Sequence, residues 1–151
     1  MVNGQPTKVN HGQRRERLKA LLKDKEIPLL LVQNQENRRY LSGFTGSNGW
    51  LIISPEREAL VTDGRYWTQM EEQCQGLELV KFIQDDHSWM GHATLLWLKE
   101  KGVTGKIGFE AQSMNVADHA KLSAQARELG GDIELVAGDN LTEQLRQCKD
   151  E

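Results

Sequence analysis

The chain has 151 residues, with 19 Lys plus Arg against 22 Asp plus Glu, a net charge of −3. This length suits one domain, and the charge balance gives no electrostatic reason to expect a nucleic acid or an anionic membrane as a partner. No apolar run reaches the roughly 18 residues of a membrane span, and the polar start lacks the apolar core of a signal peptide, so we expect a cytoplasmic protein.

The first residues separate into a leader and a helix. Residues 1–12 are polar and are expected to form a loosely packed leader. Leu18, Leu21 and Leu22 then recur at the spacing of one helical face, which predicts an amphipathic helix over Arg14–Lys25. The opposite face is basic, which fits either an acidic partner or a solvated surface, and its interrupting acidic residues favour the solvated surface.

Further along, apolar runs and helical patterns alternate, and turn or capping residues separate them. A turn at Pro55–Arg57 joins two strand patterns into an antiparallel hairpin. The alternation together with the hairpin predicts an α/β fold with a mixed β-sheet flanked by helices. The predicted strands are Pro28–Val32, Trp50–Ser54, Glu58–Thr62, Leu77–Phe82, Lys106–Glu110 and Asp132–Val136, and the further helices are Glu36–Leu41, Arg65–Cys74, Ser88 to near Gly102, Asn115–Leu129 and Asn140–Lys149.

Three glycines stand at three-residue spacing, Gly43, Gly46 and Gly49, in the segment YLSGFTGSNGWLIIS. A dinucleotide-binding fingerprint reads GxGxxG, follows a strand and opens a helix, whereas these glycines follow a predicted helix and precede a strand. No Lys-Ser or Lys-Thr pair follows the last glycine, which excludes a Walker loop. The pattern is therefore typical of a rigid structural loop, in which glycine adopts conformations closed to other residues.

The tetrapeptide DGRY contains Asp63, Arg65 and Tyr66. These side chains together can bind and polarise a carbonyl group. The other interpretation is structural: Asp63 is the N-cap of the helix Arg65–Cys74, Tyr66 packs, and Arg65 is solvated or pairs with Asp63. From the residues alone the structural interpretation is favoured.

No metal or cofactor site is predicted in this chain. His87 and His92 lie five residues apart, whereas two ligands on one helical face need a spacing of three or four. Cys74 and Cys148 form no CxxC pair and are interpreted as ordinary cytosolic thiols. On its own chemistry the chain is not a convincing enzyme.

Three segments nevertheless resemble a known family: Asn37–Ser54, Ala59–Gln69 and Lys106–Glu110. They are similar to the N-terminal domain of Xaa-Pro aminopeptidases and Xaa-Pro dipeptidases (prolidases), which creatinase shares. The resemblance covers nearly the whole chain and implies a ribonuclease-H-like α/β domain over residues 13–151. YLSGFTGS followed about twenty residues later by DGRY is the specific part of this signal.

The family resemblance implies where the chemistry lies. Family members carry their catalytic site in a second, C-terminal pita-bread domain that holds two divalent metal ions, often manganese. The positions of that site are missing here, and the chain stops at Leu145–Glu151, where the family continues into the catalytic domain. We therefore expect a non-catalytic domain that gates substrates and assists oligomer assembly. Its expected partners are its own catalytic domain, a second subunit in a homodimer and short proline-containing peptides.

By the same resemblance, four residues are candidates to face the peptide pocket: Phe44, Ser47, Arg65 and Tyr66. Gly43, Gly46, Gly49 and Asp63 are expected to shape the loop that presents them. Two alternatives stay open, namely a stand-alone binding or adaptor domain and the N-terminal domain of a creatinase-like amidinohydrolase. The residues do not decide between an aminopeptidase and a dipeptidase, or whether the gene continues beyond Glu151.

Overall fold

The computed structural model describes residues 9–83, 85, 89–129, 132–138 and 140–147. Within these residues, helices and strands alternate as the sequence predicts. The helices are α1 His11–Asp24, α2 Gln35–Ser42, α3 Trp67–Gln73, α4 Met90–Glu100, α5 Val116–Glu128 and α6 Leu141–Arg146, and the strands are β1 Leu30–Val32, β2 Trp50–Ile53, β3 Glu58–Asp63, β4 Glu78–Phe82, β5 Gly105–Glu110 and β6 Ile133–Gly138.

The six strands form one mixed sheet in the order β4-β3-β2-β1-β5-β6. Strand β2 runs antiparallel to β1 and β3, and the other neighbouring pairs are parallel. The carboxyl ends of β1, β3, β4, β5 and β6 therefore meet at one edge, together with the start of β2. We call this the carboxyl edge; it is the end of the sheet where ligand sites of open α/β sheets usually lie.

Alternating side chains of each strand bury two separate apolar layers. In β1 and the residue before it, Leu29 and Leu31 pack in the layer that contains residues of α4 and α5, whereas Leu30 and Val32 pack in the layer that contains residues of α1, α2, α3 and α6. The domain is therefore a three-layer α/β/α sandwich, which confirms the predicted fold class. No described helix is long and apolar enough to cross a lipid bilayer.

Most predicted boundaries are confirmed to within a few residues, with two informative differences. Helix α1 begins at His11 rather than Arg14, because Asn10 is its N-cap: Asn10 Oδ1 accepts from the backbone N–H of Gln13 at 2.9 Å. The ring Nδ1 of His11 also lies 3.1 Å from the carbonyl oxygen of Tyr40. Helix α4 ends as predicted, with Gly102 at a φ of +70° just after the last turn. The predicted cap Ser88, His87 and Cys148 lie outside the described residues.

The second difference concerns helix α3, which begins at Trp67 and not at Arg65. The predicted N-cap Asp63 is the last residue of β3, and Tyr66 occupies the N-cap position without a capping side-chain bond. The carboxylate of Asp63 is engaged by Arg65 instead, so it is not available to a helix start further along the chain.

Candidate functional site: the glycine loop and its neighbours at the carboxyl edge

The glycine loop, residues Gly43–Gly49, connects α2 to β2 at the carboxyl edge. Gly43 ends α2 in the left-handed conformation, with a φ of +80° that favours glycine. At Gly46 a Cβ atom would lie 2.3 Å from the ring of Phe44 and 2.9 Å from the ring of Tyr66, which is closer than packed atoms allow. Gly43 therefore forms the turn, and Gly46 lets the rings of Phe44 and Tyr66 pack against the backbone, so both glycines have a structural explanation.

Arg38 holds this loop from the inside. Its side chain projects from α2 and is 2% exposed, and its guanidinium donates to the carbonyl oxygens of Gly46 at 2.8 Å, Gly49 at 2.9 Å and Gln33 at 2.8 Å. Burial lowers the pKa of Arg38, and the negative charge of Glu110 opposes that shift. Three carbonyl groups that strand pairing leaves unsatisfied are thereby bound by one cation.

Sequence reasoning missed Arg38, because an arginine in the polar segment ENRRYL is ordinarily solvated. One signal was available. Arg38, Leu41 and Ser42 stand at i, i+3 and i+4, the spacing of a single helical face, and all three are buried.

Phe44 fills the space beneath the loop. It is completely buried, and its ring meets that of Tyr66 edge to face at 5.9 Å between centroids. Its side chain therefore does not reach the surface on which the family resemblance placed it, and it supports the loop from within the core. On the outer side, the backbone N–H of Thr45 donates to Gln73 Oε1 at 3.0 Å and fastens the loop to α3.

Asp63 and Arg65 form a two-bond ion pair beside the loop. Arg65 Nε donates to Asp63 Oδ1 at 2.9 Å and Arg65 Nη2 to Oδ2 at 3.0 Å, while the backbone N–H of Arg65 also donates to Oδ1. Asn48 Nδ2 donates to Oδ2 at 2.9 Å. The hydrogen bonds from Arg65, followed by that from Asn48, hold the pKa of Asp63 well below its usual range against the effect of burial. This carboxylate is therefore ionised at neutral pH.

The polar groups that reach the surface come together next to this pair. Ser47 Oγ and the hydroxyl of Tyr66 lie 2.6 Å apart, and the guanidinium carbon of Arg65 lies 5.0 Å from the centre of the Tyr66 ring. Ser47 and Arg65 are exposed and Tyr66 is half-buried. Three of the four predicted pocket residues thus form one group, which we call the rim cluster: Ser47, Arg65 and Tyr66.

A second polar group lies further along the carboxyl edge, at the end of β5. Glu110 is 7% exposed, and its Oε1 accepts from the backbone N–H groups of Gln33 at 2.6 Å and Asn34 at 2.8 Å, at the start of α2. Its Oε2 accepts from Asn37 Nδ2 at 2.6 Å. Burial raises the pKa of Glu110, and the bonds from Asn34 and Asn37 counteract it.

Asn37 extends this group to the last helix. Its Nδ2 also donates to Glu143 Oε2 at 2.8 Å, and its Oδ1 accepts from Arg146 Nη1 at 3.0 Å. Glu110 therefore fixes where α2 begins and, through Asn37, where α6 packs. The sequence KIGFE alone did not reveal this role. Across the ranges that the structure describes, no three His, Cys, Asp or Glu side chains are grouped as a metal site.

The family follows from comparison with known proteins. Residues 14–148 match the family model for the Creatinase/Prolidase N-terminal domain. The chain belongs to this family. The resemblance carried by the glycine loop and DGRY is thereby confirmed.

Individual relatives agree with this assignment. The chain is 27% identical to a probable Xaa-Pro aminopeptidase P of Botryotinia fuckeliana over 89% of its own length but only 22% of that protein. Among solved structures, the N-terminal domain of the cytoplasmic peptidase PepQ from Mycobacterium tuberculosis is 35% identical with a TM-score of 0.77, over 89% of this chain and 98% of that one. An Xaa-Pro dipeptidase from Bacillus anthracis is 29% identical with a TM-score of 0.79, over 94% of this chain and 37% of that one. This creatinase/prolidase N-terminal domain thus spans about a fifth of the curated relative.

Proposed function

We propose that this domain is the non-catalytic, substrate-gating part of a metallopeptidase that cleaves Xaa-Pro bonds. Its partners in that role are a C-terminal catalytic domain, a second copy in a homodimer, and short proline-containing peptides that enter between the domains. The two divalent metal ions, for which we propose manganese, belong to the catalytic domain. Likeness to PepQ, which is described as cytoplasmic, supports the same location.

The observation that carries the proposal is the rim cluster on a fixed support. Ser47, Tyr66 and Arg65 present hydroxyl and guanidinium donors at the carboxyl edge. The loop beneath them is held on the inside by Arg38 and on the outside by Gln73. Donors placed in this way suit a site wall, because groups that are already fixed lose little freedom when a ligand binds.

A chimaera tests the proposal directly. The complete chain would replace the matching part of the Bacillus anthracis Xaa-Pro dipeptidase, and hydrolysis of Ala-Pro would be compared with that of Ala-Pro-Ala-Ala. We expect Ser47→Ala and Tyr66→Phe, together, to change the ratio of kcat/KM for the two peptides by roughly 10-fold, the effect of one or two lost hydrogen bonds.

The matched control is Arg127→Gln, an exposed residue in the last turn of α5, far along the chain from the rim cluster. This variant should leave both kcat/KM values unchanged. A ratio that stays the same in the rim variant, at normal catalytic rates, would contradict a gating role.

A further inference from the structure

The glycine loop ends in an Asn-Gly pair, Asn48-Gly49. In such a pair the backbone nitrogen of the glycine can attack the side-chain carbonyl carbon of the asparagine, because no Cβ on the second residue blocks the approach. A new C–N bond closes a succinimide ring, and the side-chain nitrogen leaves as ammonia with the proton of the attacking N–H. Water then opens the ring at either carbonyl group, which leaves aspartate or isoaspartate. The pair therefore has the chemical composition of a deamidation site.

The folded chain holds the reacting groups of this pair. Asn48 Nδ2, the nitrogen that would leave, donates to Asp63 Oδ2 at 2.9 Å, and Asp63 is buried and ionised, so the bond is charge-assisted. The backbone carbonyl oxygen of Asn48 accepts from Thr62 Oγ1 at 2.6 Å, and that of Gly49 accepts from Arg38 Nη1 at 2.9 Å. Ring closure brings the side-chain carbon of Asn48 onto the Gly49 nitrogen, and each of these bonds resists that movement.

Either product of the reaction disturbs the support of the loop. Aspartate at this position puts a carboxylate oxygen where Asn48 Nδ2 now donates to Asp63, so a hydrogen bond is replaced by repulsion between two carboxylates. Isoaspartate lengthens the main chain by one carbon atom beside the carbonyl group that Thr62 binds. Ser47, a member of the rim cluster, immediately precedes the altered residue. A change at Asn48 therefore loosens the backbone that presents the rim cluster.

We propose that Asn48 is a deamidation site that the Asp63 carboxylate protects. While Asp63 accepts from the side-chain amide, Asn48 persists. When that hydrogen bond opens, Asn48 converts to aspartate or isoaspartate and the glycine loop loses one of its attachments. Because ammonia departs, the altered form accumulates with the age of the molecule. The reaction requires only this chain and water, so the inference is independent of the proposed function and can fail or succeed without it.

Peptide mapping by mass spectrometry tests the protection on the complete chain, incubated folded in mildly alkaline buffer. We expect Asn48 to deamidate at least roughly 10-fold more slowly than in the urea-unfolded chain, and Asp63→Ala to remove most of this difference, as for the loss of one charge-assisted hydrogen bond. The control Leu122→Ala lowers global stability from the buried face of α5, away from the loop, and should leave the rate at Asn48 unchanged. A second Asn-Gly pair, Asn3-Gly4, serves as the internal reference for solution conditions in every sample.

The variant Asn48→Asp supplies the aspartate product in pure form and tests its consequence. We expect amide hydrogen exchange at Thr45, Gly46 and Ser47 to be at least roughly 10-fold faster in this variant than in wild type. Unchanged exchange would overturn the effect on the loop. Deamidation of Asn48 that is as fast in the folded as in the unfolded chain, or no faster in Asp63→Ala than in wild type, would overturn the protection. Equal acceleration in Leu122→Ala would assign the reaction to global unfolding and overturn it as well.

Discussion

Arg38 and Arg65 lie on opposite sides of the glycine loop, and their guanidinium groups have different kinds of partner. Arg38 is 2% exposed and gives its N–H groups to neutral backbone carbonyls, whereas the side chain of Arg65 is 65% exposed and pairs with one carboxylate. The comparison shows that residue type does not decide the role. Burial and the number of partners determine whether an arginine stabilises the fold or keeps donors for a ligand.

The largest effect is expected from Arg38→Met. This change removes the buried donor and leaves the carbonyl groups of Gln33, Gly46 and Gly49 without partners, at about 1–3 kcal/mol each. We expect the free energy of unfolding to fall by roughly 3 kcal/mol or more, which lowers Tm by roughly 6–12 °C for a chain of this size. Thermal and urea unfolding monitored by circular dichroism would measure both. A change of Tm within the error of wild type would show that Arg38 does not hold the loop.

The next effect concerns the packing of the loop on its aromatic rings. Gly46→Ala places a methyl group 2.3 Å from the buried ring of Phe44, and such overpacking costs about 1–3 kcal/mol. Gly64→Ala is the matched control, since its nearest neighbour would be an ordinary 3.7 Å contact with Trp67. Urea unfolding should separate the two variants by about 2 kcal/mol. Equal stability would mean that the loop adjusts freely and is not a rigid support.

A smaller, pH-dependent effect is expected at Asp63. Because its pKa is lowered in the folded state, its contribution is complete above the unfolded pKa of about 3.9 and is lost as the pH falls through the folded value. We expect Asp63→Asn to be about 1.5 kcal/mol less stable than wild type at pH 7, with the difference shrinking below about pH 3. Glu110, whose pKa is raised, changes stability in the opposite direction but is common to both proteins and cancels. A difference that does not vary with pH would assign the loss to packing.

The smallest effect on stability is expected from Arg65→Gln. An ion pair with one exposed partner contributes little, because solvent screens it, so this variant should unfold with nearly the stability of wild type. Urea unfolding monitored by circular dichroism would measure the difference. A large loss of stability would place Arg65 with Arg38 as a structural residue.

The element order was predictable from the sequence, because period-two and helical spacing reflect burial on one or two faces. The expectation of a glycine loop rests on a similar reason, since glycine density signals unusual backbone geometry. The partners of Arg38 and Glu110 were not predictable. Both residues are charged, and only the folded chain shows that Arg38 binds carbonyl groups of the loop beside it and that Glu110 binds backbone N–H groups far away in the sequence.

The start of α3 illustrates a different limit. Asp63 is a residue type that caps helices, and the sequence alone supported that assignment. In the folded chain the Asp63 carboxylate accepts two hydrogen bonds from the side chain of Arg65, two residues away, instead of capping the helix. This pairing depends on the side-chain rotamers, which residue spacing does not reveal. The family resemblance likewise made Phe44 a candidate to face the peptide pocket, and only the folded chain shows that its side chain is completely buried.

Amide hydrogen exchange in the glycine loop tests the contrast between the two arginines most directly. It would be measured by NMR for the amides of residues 45–49 in wild type, in Arg38→Lys and in Arg65→Gln, under conditions where all three proteins are folded. Lysine keeps the charge but cannot reach three carbonyl groups, so we predict exchange at least roughly 10-fold faster in Arg38→Lys and unchanged exchange in Arg65→Gln. Faster exchange in both variants, or in Arg65→Gln alone, would contradict the account.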